Sequence, residues 1–293
     1  MGAAKRGLVA ILALSALARA AYADDAPATP PPDKSGFSVF DPTPDADLRA
    51  FCTDRPTKST GPCTVDAGHF QVESDVFNLT YDTSGGADTT TLLYTNPTLK
   101  LGLTNTIDAE VNIAPWETVT SKDRATHHTT RASGVGDLYI RVKANLIGDD
   151  GGDVSFALEP YVKVPTAPNG VGDGAVEGGL IAPIQVNLPA NWSLTIDPEG
   201  DILKNAVGDG DHFNMSGLLS FSRPLSKTVT LSLEVWTDGD FDPGGAVTQA
   251  SFDLGAAWIP PGHPNFQLDG GVNLGLNNET PAAQAYVGVS QRF

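Results

Sequence analysis

From Gly136 to Asn187 apolar side chains keep to one parity of the chain and charges to the other. Leu138, Ile140, Val142, Ala144 and Leu146 alternate with Tyr139, Arg141, Lys143 and Asn145. The next stretch sets Val154, Phe156, Leu158, Pro160, Val162 and Val164 against Ser155, Ala157, Glu159, Tyr161 and Lys163. A period of two is the pattern of strands. Strands with one apolar and one charged face suit a sheet that separates lipid from water, and it must close on itself because hydrocarbon offers no partner to an open edge. The alternation predicts an all-β fold, a closed antiparallel transmembrane β-barrel. A soluble sandwich would alternate in the same way strand by strand. The long strands, the near absence of charge from the apolar parity and the terminal Phe293 weigh against it.

Residues 1–23 read as a signal peptide. Lys5 and Arg6 precede an apolar run over 8–17, and Ala21-Tyr22-Ala23 is a small-x-small site for cleavage before Asp24. That run is too short to span a bilayer as a helix, and no later stretch approaches eighteen apolar residues, so membrane crossing rests on strands. Cleavage removes Lys5, Arg6 and Arg19 and no acid, which takes the formal charge from −17 to −20. So acidic a chain lacks the basic clusters that phosphate binding needs, which argues against a nucleic-acid partner. Export permits disulfides. Cys52 and Cys63 are the only cysteines, eleven positions apart, and they are expected to pair. A metal or redox role fits them poorly, because the spacing is too wide for CxxC and no convincing His or acid set surrounds them.

Residues 24–67 hold Pro27, Pro30, Pro31, Pro32, Pro42, Pro44, Pro56 and Pro62 with little periodicity. They read as an extended leader, mobile up to about Pro44 and ordered near the cysteine loop. It either lies in the periplasm or folds back into the lumen as a plug, and both readings stay open. The barrel occupies 68–293, with twelve strand candidates. The first, from His69 to Asp82, changes parity near Asp75 and Val76, as a bulge would make it do. Turns near residues 104, 148, 190, 226 and 261 are short, whereas other connections include a polar loop over 117–133 and an acidic one over 237–245. An even strand number, short periplasmic turns and longer extracellular loops are mutually consistent. Pro97, Pro160 and Pro183 each remove a ladder hydrogen bond and demand bulges or rim positions.

The outward parity carries no Asp, Glu, Lys or Arg in the strands between residues 91 and 222. An Arg or Lys there would cost roughly 2–4 kcal/mol at the bilayer midplane. The inward parity holds Lys100, Asp108, Glu110, Asp137, Arg141, Lys143, Glu159, Lys163, Asp197, Glu199, Glu234, Asp253 and Asp269. Neighbouring strands allow Arg141 and Lys143 to meet Glu159. On one reading these lumen charges are ion pairs that knit the interior. On the other they form an acidic constriction passing small neutral or cationic solutes. Tyr94, Trp116, Trp236, Trp258 and Tyr286 fall near strand ends and are expected to form an interfacial aromatic girdle, with Trp116 and Trp236 alternatively lining an entrance.

Other chemistries find little in the chain. There is no GxSxG, Walker motif or dinucleotide fingerprint, so no cofactor is expected. A hydrolase needs Ser and His on adjoining strands with an acid behind the His. Ser193, His212 and Asp197 are the one such set that strands seven and eight offer. His127-His128 with Asp123 could hold a metal from a loop, but adjacent histidines point apart in an extended chain.

The run Thr53-Asp54-Arg55-Pro56, then Pro62 and Val65, then Gly68 to Glu73 as Gly-His-Phe-Gln-Val-Glu, resembles the opening signature of the outer-membrane family named for the MetA pathway of phenol degradation. Leu99 to Thr104 as Leu-Lys-Leu-Gly-Leu-Thr followed by Ile107, Gly134 to Leu138 as Gly-Val-Gly-Asp-Leu, and Tyr161 to Pro165 resemble its later strands. The resemblance covers most of residues 51–293. It implies a signal-bearing barrel of a Gram-negative outer membrane and passage of small hydrophobic or aromatic compounds, and it supplies no catalytic residue. This chain departs from the pattern in its cysteine pair and its proline-rich leader, where a covalent loop beside Thr-Asp-Arg-Pro would anchor the leader at the barrel mouth. The combined expectation is a monomeric, non-enzymatic channel or transporter for small-molecule solutes. Its partners would be outer-membrane lipid and the barrel assembly machinery, which would read the strand ending in Phe293. The alternatives are a barrel with a shut lumen that works through its loops, and an outer-membrane hydrolase.

Overall fold

The computed structural model describes residues 33–293. The expected signal peptide, residues 1–23, and leader residues 24–32 lie outside the described part. The period-two stretches form one antiparallel sheet. Strand β1 is Phe70–Asp82, β2 is Ala87–Thr104, and β3 is Ile107–Ile113 continued by Trp116–Asp123. β4 is Thr129–Gly134 continued by Leu138–Ile147, β5 is Val154–Val164, and β6 is Glu177–Ile181 continued by Ile184–Leu188. Then follow β7 (Trp192–Lys204), β8 (Asp211–Pro224), β9 (Val229–Asp240), β10 (Val247–Trp258), β11 (Phe266–Gly275) and β12 (Ala283–Arg292). Each pairs with the next, and β1 pairs with both β2 and β12, so twelve strands close without an edge. At the seam Phe70 and Phe293 exchange two backbone hydrogen bonds, of 3.2 and 2.8 Å.

The faces are inverted relative to a soluble protein. Val142 is 41% and Leu219 46% exposed, whereas Lys143, Glu110 and Asp253 are buried. Registers place the inward charges side by side: Lys100 opposite Glu110, Asp108 opposite Lys143, and Glu234 opposite Asp253. The first strand bulges between Asp75 and Phe77, which carries the parity change seen in its sequence.

Prolines fall where the ladder is already broken. Pro97 lies between the pairs Thr95–Trp116 and Thr98–Asn112, facing the interruption of β3 at Ala114 and Pro115. Pro183 occupies the gap in β6, where its carbonyl still accepts the Ala157 N–H at 3.1 Å. Pro160 sits at a gap in the β4–β5 ladder between Arg141–Tyr161 and Ala144–Leu158. A residue without an N–H therefore costs no bond that the barrel otherwise makes.

Two expectations about connections need correction. Residues 117–133 are a paired hairpin, with Glu117 opposite Gly134 and Lys122 opposite Thr129, so only 124–128 turn. Beyond the bilayer both faces of a strand meet water, so the apolar parity vanishes although the strand continues. For the same reason β9 runs on to Asp240 through a stretch that reads as loop. The leader is also tied down earlier than expected. Val39 donates to the Leu103 carbonyl at 3.0 Å, Thr43 to the Ala67 carbonyl at 3.0 Å, and the Lys34 side chain is buried.

Candidate functional site

At the centre of the lumen two lysines share four carboxylates. Lys143 on β4 lies 2.7 Å from Asp54, 3.3 Å from Glu159 on β5 and 3.5 Å from Glu110 on β3. Lys100 on β2 lies 2.9 Å from Glu73 on β1 and 3.5 Å from Glu110, and it also pairs with Asp54. Five of these six side chains come from inward positions of adjoining strands. The sixth, Asp54, comes from the leader.

Asp54 belongs to a ring closed by the Cys52–Cys63 disulfide, and that ring crosses the lumen. Arg55 pairs with Asp75 on β1 at 2.6 Å and Asp269 on β11 at 2.7 Å. Lys58 pairs with Asp253 on β10 at 3.3 Å, and its backbone N–H donates to Glu234 on β9 at 3.0 Å. The Thr60 N–H donates to Asp197 on β7 at 2.7 Å. The ring is thus held by strands all round the wall. Burial works to raise the Asp54 carboxyl, but Lys100 and Lys143 override it and hold the group well below the usual carboxylate range. Burial pulls the Lys58 ammonium below its ordinary value despite Asp253.

A second layer closes the end that holds Lys34 and Arg292. Asp66 is buried among Lys34 (3.3 Å), Arg49 (3.3 Å) and Arg292 of β12 (3.1 Å), and Arg49 also pairs with Asp149 at 2.5 Å. Asn145 donates to the Pro62 carbonyl at 2.8 Å, and Gln71 to that of Cys52 at 2.8 Å. Two inward glycines make room for the leader. A Cβ on Gly102 would come 2.1 Å from the Asp66 carbonyl oxygen, and one on Gly288 would come 2.0 Å from the Arg55 guanidinium.

The structure gathers the inward-parity charges into distinct groups. Lys100, Asp108, Glu110, Lys143 and Glu159 build the central cluster, and Asp108 accepts the Val65 N–H at 2.9 Å. Asp197, Glu234, Asp253 and Asp269 meet the ring. Arg141 is 3.7 Å from Glu159 and lies over the Tyr139 ring. Further out, Lys163 pairs with Glu177 at 2.6 Å, with Asp173, and with Asp137 at 3.9 Å. Glu199 accepts from Ser216 at 3.3 Å. Sequence reasoning missed Glu73, Asp75, Asp201 and Arg292. The bulge hid the first two, although both share a parity with Gln71.

The girdle expectation fails in part, and the two minor chemical readings find no geometry. Tyr286 is no girdle residue, being 7% exposed and set inside the lumen with the Arg55 guanidinium over its ring. Trp236 follows its alternative reading and lines the lumen, with the Lys58 ammonium 4.1 Å from its ring centre, while Tyr94, Trp116 and Trp258 are exposed. Ser193 and His212 do not meet, because Ser193 pairs with Ser222 and His212 with Leu203, ten positions along β7, which is roughly 33 Å of strand. His212 instead contacts Asp240 at 2.8 Å and Asn205 at 3.1 Å. Near His127 and His128, the Asp123 carboxylate accepts the N–H groups of Ala125 and Thr126 at 3.0 and 2.6 Å, as a turn requires. Among the described residues one trio of potential ligands converges, Asp54, Glu110 and Glu159, and the Lys143 ammonium fills the place an ion would take.

An apolar exterior, a closed twelve-strand wall and a charged interior define an outer-membrane β-barrel of the Gram-negative type. The chain belongs to the family described as MetA-pathway of phenol degradation, whose pattern matches residues 53–293. Its fold is similar to that of an outer-membrane channel from Pseudomonas putida F1, at 13% identity and a TM-score of 0.61, over 77% of this chain and 95% of that one. The translocator domain of the autotransporter NalP from Neisseria meningitidis aligns at 16% identity and a TM-score of 0.47, over 80% and 90% of the two chains. No curated protein matches the chain.

Proposed function

We propose that this protein is a passive outer-membrane channel for small solutes, held shut at rest by its own leader. The observation that carries the reading is the disulfide ring, whose Asp54, Arg55, Lys58 and Thr60 engage opposite sides of one lumen. In this reading residues 1–23 are the export signal, 24–67 the plug, and 68–293 the barrel. The thirteen inward-parity charges serve as lumen charges, and β12 with Phe293 is the segment offered to the barrel assembly machinery. A plug fixed by ion pairs can be displaced without unfolding the wall, since strand closure does not depend on it. The small hydrophobic or aromatic cargo implied by the family resemblance suits a charged lumen less well than a hydrophilic solute does.

A shut, purely structural barrel is the second reading, favoured by the same ring if it never moves. Planar-bilayer recordings of the full-length protein and of a form lacking residues 24–67 separate them. Discrete currents from the leaderless form support the channel. Silence from both forms overturns it.

A further inference from the structure

Above the ring the lumen keeps a cavity of about 290 Å3, and its charges are unevenly matched. Glu73, Glu110, Glu159 and Asp54 line it, and each has a lysine within 4 Å. The cations that line it are likewise taken. Arg55 holds Asp75 and Asp269, Lys58 holds Asp253, and Arg141 sits by Glu159. Asp197 and Glu199 differ. Among the described residues neither has a Lys or Arg within 4.0 Å.

These two carboxylates follow one another on the inward parity of β7. Asp197 is only 6% exposed; one of its oxygens accepts the Thr60 N–H at 2.7 Å and the other has no partner at all. Glu199 has one long bond, from Ser216 at 3.3 Å. Buried carboxylates are ordinarily paired, because leaving water without a counter-charge is costly. The cavity wall beside them is also unusual for this lumen, since Ile181 of β6 and Leu218 of β8 are buried branched aliphatic side chains on a mostly polar inner face. One end of the cavity thus asks for positive charge and the adjoining wall for a short hydrocarbon. Its volume lies at the bottom of the range for small-molecule pockets.

We propose that this cavity is a binding subsite for small primary ammonium solutes with a short alkyl chain. The ammonium group donates to Asp197 and Glu199, and the alkyl part lies along Ile181 and Leu218. The inference rests on the channel reading, because it names the class of solute that would pause above the plug. It is tested apart from conduction.

Isothermal titration of the full-length protein in detergent at neutral pH, with n-butylammonium as the probe, decides it. n-Butanol and butyrate serve as neutral and anionic isosteres, and methylammonium as the short homologue. Saturable binding of butylammonium is expected, at least tenfold tighter than butanol or butyrate and several-fold tighter than methylammonium. It should weaken at least tenfold in Glu199→Gln and in Asp197→Asn. Heat-modifiable gel migration identifies folded barrels, and because Glu199 meets no ring residue, the Glu199→Gln variant keeps the test alive should Asp197→Asn misassemble. Equal binding of butanol, absence of saturable binding, or unchanged affinity in folded Glu199→Gln overturns the proposal. Intact butylammonium binding alongside silent bilayers would count against the channel and not against the subsite.

Discussion

Lys143 shows how this interior differs from an apolar core. Its ammonium balances Asp54, Glu110 and Glu159 at once, so removing it leaves Asp54 and Glu110 to Lys100 alone and Glu159 to Arg141 at 3.7 Å. Breaking a buried ion pair from one side costs about 3–5 kcal/mol, so Lys143→Met should lower the guanidinium unfolding midpoint by a corresponding amount, whereas Lys122→Met on an outer hairpin should leave it unchanged. In the proposed function Asp54 sets the pH response of the leader. Its folded-state value is depressed, so its stabilising contribution is complete above the ordinary carboxylate value of about 4 and is lost as pH falls through the lower folded value. Conductance of the full-length protein should therefore stay flat from pH 8 to 5 and rise only in stronger acid. A rise between pH 7 and 5 would assign the release to another group. Gly102 is the residue-scale signal that alternation cannot supply. It looks like a weak strand position, yet it leaves the space that the Asp66 backbone fills, so Gly102→Val should displace the leader and raise conductance.

Among the elements, strands and the disulfide pairing were legible, and the seat of the ring on the wall was not. The parity of β4 to β8 places charges inside and Leu, Val and Phe outside because lipid and water select opposite side chains at every second position. The bulge of β1 was legible for the same reason, as a break in parity. The hairpin over 117–133 was not, because a strand wet on both faces has no parity to read. The ring's contacts lie far apart in sequence: Thr60 reaches Asp197 across 137 residues, and Arg55 reaches Asp269 across 214. No period links such positions, and ion pairs show themselves only once the wall has closed. The disulfide makes the ring a unit, and closing a loop of this size contributes about 3 kcal/mol in the chain-entropy account. Trypsin should accordingly cut after Lys58 much faster in Cys52→Ser/Cys63→Ser than in the oxidised protein. Equal rates would mean that the ion pairs alone hold the segment.

For the molecule as a whole, two solvents fix the design: acyl chains outside and a charged, largely paired interior. Leu219 faces lipid near the middle of β8. Leu219→Arg should cost roughly 2–4 kcal/mol in a bilayer, read from unfolding in lipid vesicles, while Ser220→Arg one position along would act on the lumen instead. The wall depends on parity, and in the proposed function the leader inside it holds the channel shut. Amide hydrogen exchange of residues 53–62 in the oxidised, full-length protein tests that directly. If the ring is seated on Asp197, Glu234, Asp269 and the two central lysines, its amides exchange as slowly as those of the flanking strands. If they exchange within seconds, at the rate of an unfolded segment, the leader does not occupy the lumen and the account is wrong.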